Sequence, residues 1–248
     1  MPKPTYEDRY CAFVDILGFT DHIRSLRRGT GQFLVVRDLL REIHSPGDAL
    51  LKSVGNADLR AQSISDAVAV SAIATREGLS VLCAALVNLT MKLLHDGYFV
   101  RGAVCKGLLY HDEQMVFGEA LLRAYTLEYQ VVRFPRIMLT SDVVKDAGAY
   151  IDKERPTFVQ QAQDGPFFLH VLLRLGLTVA ALHSGPPAAT SARINLQYYK
   201  DTARKIQKRF DESVDTPRHF EKVQWFARYW NTMVGDCSEI PKIRGPGV

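Results

Sequence analysis

The sequence predicts an α+β fold with a ferredoxin-like, split βαβ core, followed by a C-terminal helical extension. Three observations predict it. Strand-like and helix-like runs alternate over the first two thirds of the chain, two aspartates interrupt apolar strand-like runs, and two amphipathic stripes follow a proline-rich stretch.

In chain order, YCAFVDI (10–16) is a short apolar run rich in strand formers and opens the fold as a strand. GFTDHIRSLRR (18–28) and QFLVVRDLLREIH (32–44) read as helices joined near Gly29 and Gly31. LRAQSIS (59–65) and DAVAVSAI (66–73) alternate as a hairpin with Ser65-Asp66 near its tip. GLSVLCAALVNLTMKLLHDG (78–97) carries apolar residues at helical spacing and stops at Asp96-Gly97. YFVRGAVCKGLLYHDEQMVFG (98–118) reads as two strands around a turn at His111-Asp112-Glu113, whose side chains are expected in solvent. GEALLRAYTLEYQVV (118–132) is a helix and RIMLT (136–140) a strand. Strand–helix–strand–strand–helix–strand is the split βαβ order.

SGPPAATS (184–191) is small and proline-rich and reads as a linker, which divides the chain into 1–182 and 183–248. Beyond it, Tyr199, Ala203, Ile206 and Phe210 form one stripe, and Phe220, Val223, Ala227, Trp230 and Met233 another. Two amphipathic helices produce such stripes. Lys200, Arg204, Lys205, Lys208 and Arg209 lie opposite the first stripe, where a solvated face is expected. Trp225 and Trp230 read as packing anchors.

With 31 basic and 27 acidic residues the net charge is +4, too mild to argue for a nucleic-acid partner. The most apolar window, 165–182, is broken by His170 and Arg174, so no membrane span is expected there. MPKPTYEDRY lacks the apolar segment of a secretory signal. Cys11, Cys83, Cys105 and Cys237 have no close pairing and read as reduced thiols of a cytoplasmic protein.

The chemistry rests on Asp15 and Asp66. If the first strand and the first hairpin share a sheet, the two carboxylates lie side by side, and each raises the other's cost of ionisation. Hard divalent cations relieve that repulsion and keep positions open for phosphates, with the Ile16 carbonyl as a third oxygen. Leu17, Gly18, Phe19 and Thr20 follow at a strand-to-helix turn, where free backbone N–H groups can cradle an anion.

FVDILGFT (13–20) resembles the first metal motif of the class III nucleotidyl cyclases, SISDAV the second, and GEALLRAYTLE the helix after the second hairpin. The resemblance covers roughly residues 8–170 and implies a class III cyclase catalytic domain. It implies cyclisation of a nucleoside triphosphate with two Mn²⁺ or Mg²⁺ per site, held by Asp15, Asp66 and the Ile16 carbonyl. Phe13, Leu17, Gly18, Phe19, Thr20 and Gln62 would contact the nucleotide. A homodimer with sites between its subunits is also implied. The family's purine-reading lysine and aspartate fall on Gln62 and Met115, and its helix asparagine and arginine on Leu122 and Thr126. These departures resemble the Pycsar-type pyrimidine cyclases of bacterial antiphage defence, which make cyclic UMP or cyclic CMP. Positive charge must then come from Arg101, with Arg123 second. A purine cyclase with an altered base pocket and an inactive cyclase-like binding module are the alternatives.

Overall fold

The computed structural model describes residues 5–18, 57–64, 67–150 and 157–245. The helices expected at 18–28 and 32–44, and Asp66 itself, lie outside the described residues but for Gly18. The elements in chain order begin with β1 (Glu7–Leu17), β2 (Arg60–Ile64), β3 (Ala67–Ile73), α1 (Arg76–His95) and β4 (Phe99–His111). They continue with β5 (Val116–Gly118), α2 (Glu119–Gln130), β6 (Ile137–Leu139), α3 (Ser141–Tyr150), β7 (Val159–Gln161) and β8 (Phe167–Leu169). Four helices follow: α4 (Leu173–His183), α5 (Ala188–Arg193), α6 (Leu196–Glu212) and α7 (Pro217–Val234).

An eight-stranded sheet among the described residues runs β2-β3-β1-β4-β6-β8-β7, with β5 paired to β4. β1 is antiparallel to both β3 and β4, so the β3–α1–β4 crossover straddles it. The order β4-β1-β3-β2 is the split βαβ arrangement expected above. α1 is long and apolar enough to cross a membrane, yet 67% of its apolar window is buried within the fold. Both of its ends lead into strands of one sheet, so it serves as a buried crossover. The window at 165–182 divides into β8 and the short helix α4.

One face of the sheet carries α2. Phe13, Ala67, Cys105 and Ala124 form one buried cluster there, and Cys11, Leu109 and Ala120 another, with Leu121 packing on both. Ala120 and Ala124, one turn apart and fully buried, let the helix lie close to the strands. All four cysteines are free and buried.

The chain forms two compact units, residues 1–90 with 99–170, and 91–98 with 171–248. The division after His170 falls earlier than the expected 182/183 boundary, because α4 belongs with the helices that follow it and not with the sheet. The expected linker is only partly one, since the helix Ala188–Arg193 begins inside it. In the second unit the first predicted stripe, Tyr199, Ala203, Ile206 and Phe210 on α6, is buried. Of the second, Val223, Ala227 and Trp230 on α7 are buried, while Phe220 and Met233 are half-buried. Trp230 is fully buried and donates to the Pro241 carbonyl at 3.0 Å, a packing anchor. Arg204 and Lys208 are solvated as expected. Arg209 departs from that face, donating to the Gly97 carbonyl at 2.9 Å and lying over Tyr98.

Candidate active site

Asp15 lies near the end of β1, in register with Ala67 of β3 and Arg101 of β4. Ala67 follows Asp66 directly in the chain. Strand alternation puts Asp15 and Arg101 on the face that carries α2, in line with Phe13 and Cys105. Arg101 Nε is 3.4 Å from Asp15 Oδ2 and 2.5 Å from Glu128 Oε1 of α2. The Arg101 and Asp15 side chains are 21% and 20% exposed, and that of Glu128 only 4%. One guanidinium therefore stands between two carboxylates at the margin of the core. Its charge offsets the repulsion that the pair would otherwise feel.

Gly102 explains why β4 runs so close to β1 at this point. A Cβ there would meet the Phe13 carbonyl oxygen at 2.4 Å, so a larger residue would push β4 away and take Arg101 with it.

Among the described residues the β1–β3 ladder runs to Asp15–Ala67 and the β1–β4 ladder to Leu17–Phe99. The Asp8 carbonyl accepts from Ala74 N on the β3 side. By alternation, even-numbered residues of β1, Ile16 among them, turn their carbonyls that way. A carboxylate and a backbone carbonyl at this end of β1 are a donor set that suits Mg²⁺ or Mn²⁺. Among the described residues no three His, Cys, Asp or Glu side chains converge on a metal position. Gly18 has φ +77°, with open space where a side chain would stand, so the chain leaves β1 through a conformation that favours glycine. Phe19 and Thr20 lie outside the described residues.

The other expected residues are placed as follows. Phe13 is buried beneath α2 with its ring edge-on to Tyr125 at 5.4 Å, so the ring is committed to packing. Gln62, on β2, donates Nε2 to the Gln114 carbonyl at 2.9 Å. A carbonyl only accepts, so this contact fixes the amide with Oε1 turned away, a buried acceptor with no hydrogen bond among the described residues. Met115 is exposed. Arg123 donates to the Lys106 carbonyl at 2.8 Å and reaches Asp142 at 3.5 Å, and among the described residues no contact joins it to Asp15 or Arg101. Leu122 is 66% exposed, and Thr126 turns its hydroxyl back to the Leu122 carbonyl. Both line a groove of about 660 Å³ with Arg123, Thr140, Ser141 and Phe167.

Sequence reasoning missed two features. Glu128 continues the buried α2 row of Ala120 and Ala124 at four-residue spacing, and an acid ending a row of alanines was the available signal. The second feature lies at the other end of β1. Arg9, 1% exposed, donates Nε to Ser71 Oγ at 3.1 Å, Nη1 to Glu7 and Asp58, and Nη2 to the Asp58 carbonyl. Ser71 Oγ in turn meets His111 Nδ1 at 2.7 Å. His111, expected in solvent at the hairpin turn, is instead 3% exposed. Burial, then the charges of Arg9 and Arg60, push its pKa down to about 4. Burial raises the Asp58 carboxyl, but hydrogen bonds from Arg60 and Arg9 outweigh it and hold the group below its usual range.

No family model matches the chain, and no curated protein matches it. Among solved structures, the chain is similar to a bacterial light-regulated adenylyl cyclase, with 14% identity over 67% of this chain and a TM-score of 0.45. It spans 52%, about half, of that protein's length. It is also similar to the catalytic core of a rhodopsin-guanylyl cyclase with converted specificity in complex with ATPαS, at 15% identity, 66% and 96% coverage and a TM-score of 0.46. A third similarity is to the monomeric guanylyl cyclase domain of the RhoGC fusion protein of the aquatic fungus Blastocladiella emersonii, at 12% identity, 66% and 95% coverage and a TM-score of 0.43.

Proposed function

We propose that the chain is a nucleotide cyclase that converts a pyrimidine nucleoside triphosphate, UTP before CTP, to its 3′,5′-cyclic monophosphate and pyrophosphate. The observation that carries this reading is the three-strand register at the end of β1. Asp15 stands between Arg101 and Ala67, and Ala67 is the residue directly after Asp66. Asp15, Asp66 and the Ile16 carbonyl would hold two divalent ions, Mn²⁺ or Mg²⁺. Such ions lower the pKa of the ribose 3′-hydroxyl and neutralise the departing pyrophosphate. Arg101 pairs with phosphate oxygens as charge builds on the transferring group, and the backbone amides of residues 17–20 hold the triphosphate tail.

The base assignment is supported by the departures from the purine-reading pair of the family that the chain resembles, Gln62 and Met115. The exposed row of Leu122, Tyr125 and Tyr129 on α2 supports pairing with a second copy, with sites between the subunits. The cyclic product would act as a second messenger in bacterial antiviral defence.

A second reading draws on Leu122 and Thr126, which put an apolar side chain and an inward-bonded hydroxyl in the groove on α2. Under that reading the chain is an inactive module that binds a nucleotide without closing it.

Incubating the protein with Mn²⁺ and each of the four ribonucleoside triphosphates, with products identified by mass spectrometry, decides the matter. A cyclic pyrimidine monophosphate is expected. Turnover of ATP or GTP alone overturns the pyrimidine assignment, and nucleotide binding without any product favours the inactive module. Asp66→Ala is expected to abolish product, and retained turnover removes Asp66 from the site.

A further inference from the structure

We infer that Glu128 is a positioning residue that holds Arg101 by its Nε side and thereby presents the two terminal amino groups of the guanidinium to a phosphate. This inference rests on the phosphate role of Arg101 proposed above.

Three arginine sites in the first unit show how differently a guanidinium can be used. Arg9 spends Nε and both terminal nitrogens on Ser71, Glu7 and Asp58. Arg136 spends its terminal pair on Asp164, in two parallel contacts of 2.6 and 2.7 Å. That fork-to-fork geometry is how an arginine and a carboxylate pair when the pairing itself is the purpose. Arg101 is held differently. Both of its carboxylate contacts, 2.5 Å to Glu128 and 3.4 Å to Asp15, are measured at Nε. Neither terminal amino group makes a hydrogen bond to another described residue. The end of the guanidinium that best matches two phosphate oxygens is the end left over.

The two contacts give the two acids different parts. Glu128 makes the short one from a helix pinned to the sheet through Ala120 and Ala124, an ion pair in which its Oε1 accepts no hydrogen bond from a described residue. Asp15 makes the long one and accepts the Nε–H hydrogen bond. Glu128 thus keeps Arg101 from closing fully onto Asp15, whose oxygens are needed for a cation, while Gly102 fixes the strand that carries Arg101. A guanidinium tethered at Nε and open at its fork is already oriented, so less rotamer freedom is lost when a phosphate binds.

The test uses the full chain with Mn²⁺ and inorganic tripolyphosphate as the probe, which needs neither a base nor a chemical step. Dissociation constants are measured by calorimetry for the parent, Arg101→Lys, Glu128→Gln and the double variant, with thermal melts to show that each is folded. Arg101→Lys and Glu128→Gln are each expected to weaken binding by about ten-fold. The double variant is expected to bind no more weakly than either single one, because both changes remove the same oriented fork. Glu128→Asp, which keeps the charge but withdraws it from Nε, is expected to fall between parent and Glu128→Gln. It also serves if the glutamine variant does not fold. Parent-like binding by the folded Glu128 variants, with Arg101→Lys weakened, overturns the positioning role and leaves the proposed function standing. Parent-like binding by Arg101→Lys, or no binding by the parent, removes the phosphate role of Arg101 and the inference with it.

Discussion

The two ends of β1 each hold an arginine in contact with acids, and they are finished differently. At the Arg9 end every nitrogen of the guanidinium has a partner, and the neighbouring Ser71 and His111 are sealed in the core. At the Arg101 end the guanidinium is held through Nε between Asp15 and Glu128, and about a fifth of its side chain is exposed. A satisfied buried ion network specifies and rigidifies a core. The Arg101 network stands at the margin of the core instead. The same residue types, on one sheet and one face, thus separate into a sealed network at one end and a candidate site at the other.

Breaking the first end should cost stability and spare chemistry. Arg9→Met is expected to lower the unfolding free energy by about 3 kcal/mol in a denaturant titration, because Ser71, the Asp58 carboxylate and the Asp58 carbonyl lose their shared donor. Nucleotide turnover at a temperature where the variant is still folded should stay near that of the parent. Asp15→Asn is expected to do the reverse. Turnover should drop at least about a hundred-fold, since a neutral amide holds a divalent ion poorly. Its melting midpoint should move little, because Arg101 keeps Glu128. If Asp15→Asn unfolds the protein and Arg9→Met silences it, the contrast between the two ends is wrong.

Acid sharpens the comparison further. His111 and His170 both have pKa values pushed down to about 4, in each case first by burial. The folded state therefore binds fewer protons than the unfolded one between the ordinary histidine value and about 4. Their stabilising contribution is full above roughly pH 6.5 and is lost as the pH falls through that window. A loss of about 1–2 kcal/mol per histidine is expected between pH 7 and pH 5. His111→Gln, which leaves Ser71 an acceptor, should flatten the profile, and an unchanged slope would show that the Arg9 end is not what acid opens.

Much of this arrangement was legible in the sequence wherever periodicity was strong. The hairpins, α1 and α2 were found because their apolar residues repeat at the spacing of one face. The terminal helices α6 and α7 were found for the same reason. β7 and β8 are three residues long and, unlike β6 in RIMLT, lie in no continuous apolar run that reads as a strand. α3 carries few apolar residues beyond Val143, Val144 and Ala147, so all three escaped notice. In the site, Asp15 was recognisable because a charge inside an apolar strand is costly and asks for a reason. Arg101 was singled out because the resemblance needed a cation once Leu122 and Thr126 stood at the helix positions. Glu128 was not, because an acid on an amphipathic helix reads as solvent-facing until the packing of its row is known. Arg9 and His111 were missed likewise, since a strand start and a hairpin turn are ordinary places for polar residues. Only the cross-strand register shows that they meet.

The burial of all four cysteines gives the chain its own reporters. Burial raises the thiols of Cys83 to about 12 and of Cys105 to about 11, so neither reacts at neutral pH unless its surroundings open. Cys11, Cys83 and Cys105 belong to the first unit and Cys237 to the second. The order in which an alkylating reagent tags them, read by peptide mapping, is a clock for which half of the chain loosens first. It needs no engineered label.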